Sequence, residues 1–566
     1  MTRTHAVALV LILAAACGDE PPAEGTSGDT AAGTGGTTAD TGDTGDVAPA
    51  LLAPVDRLIR ISTALRGRRP TEAELAAVEA DPGSLAAIVD AYLDSPDFGA
   101  TVRDLHNDAL LLLADFGAPP AGFAPKQTLA GADPYALNRA IMEAPLRLVE
   151  HVVASDRPYT EIVTGDYALV SEASAAVWGL PFDANGDAWQ VQPPPADRRS
   201  AGLLADSWLF QRHDSTRSNA NRGRANALAR AFLCTDFLDR DLEVDSTVNL
   251  ADPNVVATAV QDNPTCAACH QTLDPLASFF WGYKPNVLAA VTPYPIDNYA
   301  EGYFTNVLAV DRREPHYFGA AGGSLADLGA LMIRDPRFSL CAAKRAFAYF
   351  HQVDLGDVPL DRAGELQAVL LDSQSSYKAM IKALVLADAF ARADQRRRAR
   401  PLQLARLVED LTGFRWRANL SAYGVGTIDL FEDSLIGYHV LAGGIDAIFV
   451  TRPSYTYSAT ASLALRTLAR QAANTVVEAD FAVDDKTKRR LFTLVSAVDT
   501  GQAKLRPQIA LLHRRFFGAA LADDDPAVTE TLELFQGALA LAPGDARRAW
   551  KITLTALLQD VRLAFY

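Results

Sequence analysis

The chain has 566 residues, 49% of them hydrophobic, with Lys plus Arg at 52 against Asp plus Glu at 69 and a net charge of −17. That balance argues against a nucleic-acid partner and against a polybasic contact with anionic lipid. Beyond the first residues no apolar run is long enough to span a bilayer, while the body is long enough to bury sizeable cores and to divide into several domains.

The N-terminus reads as an export signal. Arg3 precedes the apolar stretch Ala6 to Ala16, and Leu13-Ala14-Ala15-Ala16-Cys17 looks like a bacterial lipoprotein processing site, with residues 1–17 as the signal segment and Cys17 carrying lipid. The large aliphatic Leu13 stands one place further from the Cys than usual, so an ordinary cleavage near Ala16 is the alternative. Gly18 to Ala50 is a Gly/Thr/Asp/Ala tract that cannot bury a core and reads as a disordered tether. Gly18 lacks the Asp that retains some lipoproteins on the inner membrane, which points to a cell-envelope protein anchored in the outer membrane.

The body is mostly helical in its periodicity. Apolar residues at three- and four-residue spacing predict a helix over Val55 to Leu65, ended by Gly67; Thr71-Glu72-Ala73-Glu74 reads as a capping box opening a second; a third runs from about Ser84 to Asp94. The last element, Ala87 to Phe98, recurs as Ala379 to Phe390 and more loosely as Leu554 to Phe565. Each copy has an earlier helix carrying Arg beside apolar or aromatic residues: Arg57 to Leu65, Arg345 to Phe350, and Ile509 to Phe517.

Cys266-Ala267-Ala268-Cys269-His270 is the most specific motif. Two thiols separated by two residues can form thioethers with the two vinyl groups of a haem, and the next histidine then lies under the iron. A structural or redox disulfide between Cys266 and Cys269, or a zinc or catalytic-thiol site, are the competing readings. With Cys17 assigned to lipid and two Cys to haem, Cys234 and Cys341 remain as an even pair, either disulfide-bonded or two separate buried thiols.

A series of segments then resembles a known family. Gly165 to Val170, Ala201 to Leu204, Asn221-Arg222-Gly223-Arg224 leading to Leu233-Cys234, Cys266 to His270 with Asp274-Pro275, and Asp335-Pro336-Arg337-Phe338 leading to Cys341 and Tyr349 follow the order of planctomycete-type cytochrome c-like proteins. These are large exported bacterial proteins built from consecutive domains of unknown function, and the resemblance covers roughly Leu58 to Phe390. It implies a predominantly helical, haem-bearing, envelope-associated protein. It also implies that Asp274-Pro275 belongs to the motif, Pro275 turning the chain so that a carbonyl accepts from His270. The chain departs from the family where Leu276 to Tyr283 forms an aromatic cluster, and where His351-Gln352-Val353-Asp354 replaces a Gly-Arg pair.

The expected architecture is therefore mainly α and multidomain: a helical domain at 51–200, a cytochrome c-like domain at 201–310 with its motif in an irregular segment, a helical domain at 311–396 and a C-terminal helical domain at 397–566. The sixth iron position separates electron transfer from peroxide chemistry. Met332, on a helix predicted between Leu325 and Ile333, is the nearest Met, with His316, His351 and His213 as alternatives. In the C-terminal third, Gly443-Gly444-Ile445-Asp446 reads as a tight turn and Tyr455-Thr456-Tyr457 as a strand or binding loop. Two functions follow. One is a lipid-anchored c-type cytochrome-like protein that passes electrons to an unidentified redox partner in the envelope, its covalent haem c held by Cys266, Cys269 and His270 and shielded by Phe279 to Tyr283. The other is a cofactor-free surface scaffold with a Cys266–Cys269 disulfide.

Overall fold

The structure, a computed structural model, describes residues 50–114, 129–216, 219–239, 246, 248–249, 251–284, 298–303, 314–421, 426–433 and 437–566. The expected signal segment, Cys17 and the tether up to residue 49 lie outside the described residues. In chain order the helices are α1 (Pro54–Arg66), α2 (Glu72–Ala80), α3 (Leu85–Leu93), α4 (Pro96–Leu110), α5 (Pro134–Ala154), α6 (Glu161–Thr164), α7 (Glu172–Trp178), α8 (Ser207–Arg212), α9 (Arg222–Leu233), α10 (Pro253–Asp262), α11 (Pro264–Ser278) and α12 (Leu325–Met332). They continue as α13 (Pro336–His351), α14 (Leu360–Asp372), α15 (Tyr377–Leu386), α16 (Pro401–Thr412), α17 (Tyr438–Leu441), α18 (Ala459–Phe481), α19 (Gln502–Phe517), α20 (Pro526–Ala540), α21 (Ala546–Leu558) and α22 (Val561–Ala564). Three antiparallel two-stranded ribbons complete the set: β1 (Ala168–Val170) with β2 (Gln190–Gln192), β3 (His316–Tyr317) with β4 (Ala320–Ala321), and β5 (Arg417–Asn419) with β6 (Thr427–Asp429). The protein is mainly α.

Local chemistry sets the helix ends. Pro54 begins α1 with a φ already suited to the helix, and Gly67 closes it in the left-handed region at φ 65°, donating to Thr63 O at 2.9 Å. Gly67 is required twice over, since a Cβ there would come within 3.0 Å of the Gln403 backbone where α1 packs on α16. Thr71 and Glu74 form both bonds of a capping box at the start of α2. Ser95 caps α4, with Pro96 in its first turn.

Two cores organise the chain, one drawn from Leu58 to Phe390 and the other from Ala399 to Ala564. The expected divisions at 200/201 and 310/311 do not separate units: α9 packs on α4, α11 and α13, and α12 packs on α6, so segments 51–200, 201–310 and 311–396 share one core. Each unit begins and ends on one short antiparallel contact. Leu52 N donates to Ala391 O and Ala393 N to Ala50 O, both at 2.8 Å, while Arg397 and Tyr566 exchange two backbone bonds of 2.8 Å. The repeated segments α3 and α15 pack against each other, and Lys378–Asp94 and Lys382–Asp90 pair across them at 2.6 Å.

A buried ionic clasp joins the units. Arg400, at the head of α16, bonds Asp104 and Asp108 of α4, each at 2.8 Å, and the Tyr349 hydroxyl donates to Asp104 at 2.7 Å. Burial would raise the Asp104 carboxyl, but Arg400 and Tyr349 outweigh it and hold the group below the usual range. Asp108 goes the other way: burial lifts it to about 6, Asp104 adding to the rise that Arg400 opposes. Cys234, in the left-handed region after α9, is disulfide-bonded to Cys341 of α13, with Cα atoms 5.3 Å apart and a sequence separation of 107.

A carboxyl whose folded pKa is raised contributes stability below its unfolded value and loses it as pH rises through the folded one. Between pH 4 and 6.5, wild type should therefore lose on the order of 2 kcal/mol relative to Asp108→Asn, read from paired denaturation series. Replacing Cys234 and Cys341 by Ser should cost about 2–5 kcal/mol, because the bond closes a long loop. Denaturant midpoints with and without reductant check this, wild type falling to the variant's value once reduced.

Candidate functional site

The C-x-x-C-H run lies within a regular helix, α11, and not in the irregular segment expected. Asn263 accepts from the backbone N–H of Thr265 at 3.1 Å and of Cys266 at 3.4 Å, and Pro264 follows as first residue, so a capped helix starts two residues before the first thiol. Pro275 does not turn the chain. It sits inside the helix, where it removes one backbone donor toward Gln271 O.

Helical spacing places Cys266, Cys269 and His270 on neighbouring positions of one half-exposed face, while Leu273, Asp274, Leu276 and Ala277 are buried. Neither thiol is in a disulfide. Cys269 packs against the larger core, its Sγ 3.8 Å from Phe237 O, and the Phe237 ring stacks on Phe318 of the β3–β4 turn at 6.4 Å. The imidazole Nδ1 of His270 meets the Asp274 carboxylate, one turn on, at 2.8 Å. This carboxylate replaces the backbone carbonyl expected as its partner.

Asp274 is itself held by Arg222, through Nε at 2.7 Å and Nη2 at 3.0 Å. Burial would raise its carboxyl, but the hydrogen bonds from His270 and Arg222 outweigh burial and bring it to about 2. Arg224, the next arginine of the same segment, reaches past the helix end: its guanidinium donates to Phe210 O, Tyr283 O and Lys284 O, each at 2.9 Å. Asn221, at φ 66°, donates to Phe280 O at 2.9 Å. The run Asn221 to Arg224 thus holds both the middle of α11 and the chain leaving it.

The aromatic cluster has a different place from the one expected. Phe280 and Tyr283 are fully buried, packed on Phe210 with ring centroids 5.0 and 4.2 Å away, and the Tyr283 hydroxyl donates to Leu204 O at 2.7 Å. At 1.5 Å per residue, Phe279 begins about 14 Å along the axis from His270, and Phe280 and Tyr283 are interior packing.

The expected axial residues also separate. Met332 is fully buried in the larger core, on a helix whose main partners are α6, the Gly202–Ala205 turn and the β3 strand. His351 stacks on Phe347 at 3.9 Å, and burial with Arg397 and Arg60 nearby lowers it to about 3. His213 Nε2 bonds Leu110 O at 3.0 Å, and burial followed by Arg212 lowers it to about 4. His316 is half-exposed on β3, a strand packed against α11, with Nδ1 bonded to Glu314 O at 2.8 Å. Among the described residues no three His, Cys, Asp or Glu side chains are arranged to hold a bare metal ion.

No family model, curated protein or solved structure matches the chain. Among the described residues no helix is long and apolar enough to cross a membrane. The sequence carried a signal for the His270–Asp274 pair, four residues apart on a helix, whereas nothing local announced Arg222 as its support. The turn that ends α17 closes at Gly443, whose N–H donates to Val440 O; Asp446 then accepts from the backbone N–H groups of Ile448, Phe449 and Val450, and Tyr455 to Tyr457 is a loop.

Asp274→Ala should lower stability by about 2–3 kcal/mol, somewhat below the usual cost of breaking a buried pair because Arg222 and His270 keep solvent contact. Thermal unfolding beside Asp274→Asn, which retains a hydrogen-bond acceptor, should place the Asn variant between Ala and wild type.

Proposed function

We propose that this protein is a c-type haem protein of the cell envelope that passes single electrons, tethered to a membrane through lipid on Cys17. The observation that carries the reading is the shared half-exposed helix face of Cys266, Cys269 and His270, with the imidazole oriented by Asp274. The donor set fits the group: two thiols outside any disulfide and an imidazole whose second nitrogen is already committed to a carboxylate. With the Nδ1 proton directed at Asp274, the ring lone pair is on Nε2, the atom that would ligate iron. Bound through thioethers at Cys266 and Cys269, haem would supply a one-electron iron couple.

The chain's own residues fix the rest. Arg222 and Asp274 hold the imidazole against rotation, and Asn221 and Arg224 hold the helix that carries it. Phe237 and Phe318 offer apolar contact beside Cys269. His316, on a strand packed against α11, would be the candidate for a second iron ligand. The redox partner is a further protein of the envelope.

A reduced pyridine-haemochrome spectrum of protein made with a periplasmic haem-attachment system tests this. Wild type should give a thioether-haem band that Cys266→Ala/Cys269→Ala abolishes. No haem in either protein overturns the reading and leaves a surface scaffold.

A further inference from the structure

A cavity of about 710 Å³ lies where the two units meet, within the size range of small-ligand sites. Asp108 of α4 and Arg345 and Tyr349 of α13 belong to the larger unit, and Arg452 and Tyr455 come from a loop of the second. None of Cys266, Cys269 and His270 lines it, so its occupant is a separate question from haem.

The charges around the cavity are unevenly committed. Asp108 is engaged by Arg400, and Asp236 accepts from Asn226 at 2.8 Å and stands 3.8 Å from Arg230. Arg345 makes no close ion pair among the described residues, although Asp108 attracts it from further away. Its Nε donates to Ala231 O at 2.8 Å and its Nη2 to Arg230 O, both carbonyls near the C-terminal end of α9. Burial draws its guanidinium down to about 10, more than the attraction of Tyr159 and Asp108 restores. Lys344 and Arg452 likewise make no ion pair among the described residues, and the carboxylates that remain, Asp239 and Asp354, are exposed. A desolvated guanidinium with a carbonyl on two donors has fork geometry left for a planar or tetrahedral anion. Beside it, Leu105, Ala109 and Tyr455 give the wall apolar surface.

We propose that this cavity binds a small organic anion, its carboxylate or phosphate set against Arg345, Lys344 and Arg452 and its apolar part against Tyr455 and the Leu105–Ala109 wall. The site joins both units, so an occupant adds contacts across their junction. It also lies one chain segment from the thiol helix: Asp236 and Leu238 line the cavity, and Phe237 between them meets Cys269.

Calorimetric titration of the full chain at low ionic strength, with citrate, 4-hydroxybenzoate, glucose 6-phosphate and inorganic phosphate as probes, tests the proposal. At least one organic probe should bind one-to-one with a dissociation constant below about 1 mM, and Arg345→Gln and Arg452→Ala should each weaken it by about tenfold or more. Preference for the first two probes assigns the carboxylate, and preference for glucose 6-phosphate the phosphate. Should Arg345→Gln fail to fold, Lys344→Ala joins Arg452→Ala, since both replace side chains that reach solvent. Absence of saturable binding by every organic probe overturns the proposal, as does binding that folded variants leave unchanged.

Discussion

A guanidinium taken out of water is costly unless most of its N–H groups are met, and the junction of this protein meets that cost largely with backbone carbonyls and carboxylates. Arg60 reaches from α1 to the carbonyls of Phe390, Arg392 and Gln395, at 2.9, 2.7 and 2.5 Å. Arg397 donates to Phe350 O at 2.7 Å, and Arg69 crosses to the second unit, donating to Phe516 O and Arg562 O at 2.8 and 2.6 Å. Arg400 takes the two carboxylates of α4. Helix ends leave carbonyls unsatisfied, and Arg397 and Arg69 use those at the ends of α13, α19 and α22, while Arg60 uses carbonyls of the turn after α15.

The same device supports the thiol helix. Arg222 and Arg224 leave one turn of α9 in different directions, the first to Asp274 beneath His270 and the second to the carbonyls after α11. The site's orientation is thereby tied to the larger core through α9, which the disulfide joins to α13. A chemistry-bearing face that is itself half-exposed obtains its order from arginines behind it.

Much of the fold was legible wherever a residue acts on its own neighbourhood. Pro54, Gly67, the Thr71–Glu74 pair and Ser95-Pro96 mark helix ends because their effects are local, and the Ala87–Phe98 and Ala379–Phe390 likeness reflects two buried faces that meet each other. Legibility failed where the partner is distant in sequence. Nothing near Arg400 points to Asp104, and nothing near Met332 distinguishes a buried core thioether from an exposed ligand. Aromatic content after α11 is visible in sequence, whereas the direction in which Phe280 and Tyr283 pack depends on Phe210. A core shared among segments that composition sees separately is illegible for the same reason.

The contact between Ala50–Leu52 and Ala391–Ala393 has a consequence for the order in which the molecule is made. The first folded residues to leave the ribosome cannot meet these partners until residue 393 has followed, so α1 packs on α2, α3 and α4 while its Arg60 waits for the carbonyls at 390–395. Vectorial synthesis thus delivers the larger unit as an unfinished intermediate through most of its emergence, which invites a holding chaperone. The second unit, closed by Arg397 and Tyr566 over a much shorter span, completes itself soon after its last residue appears.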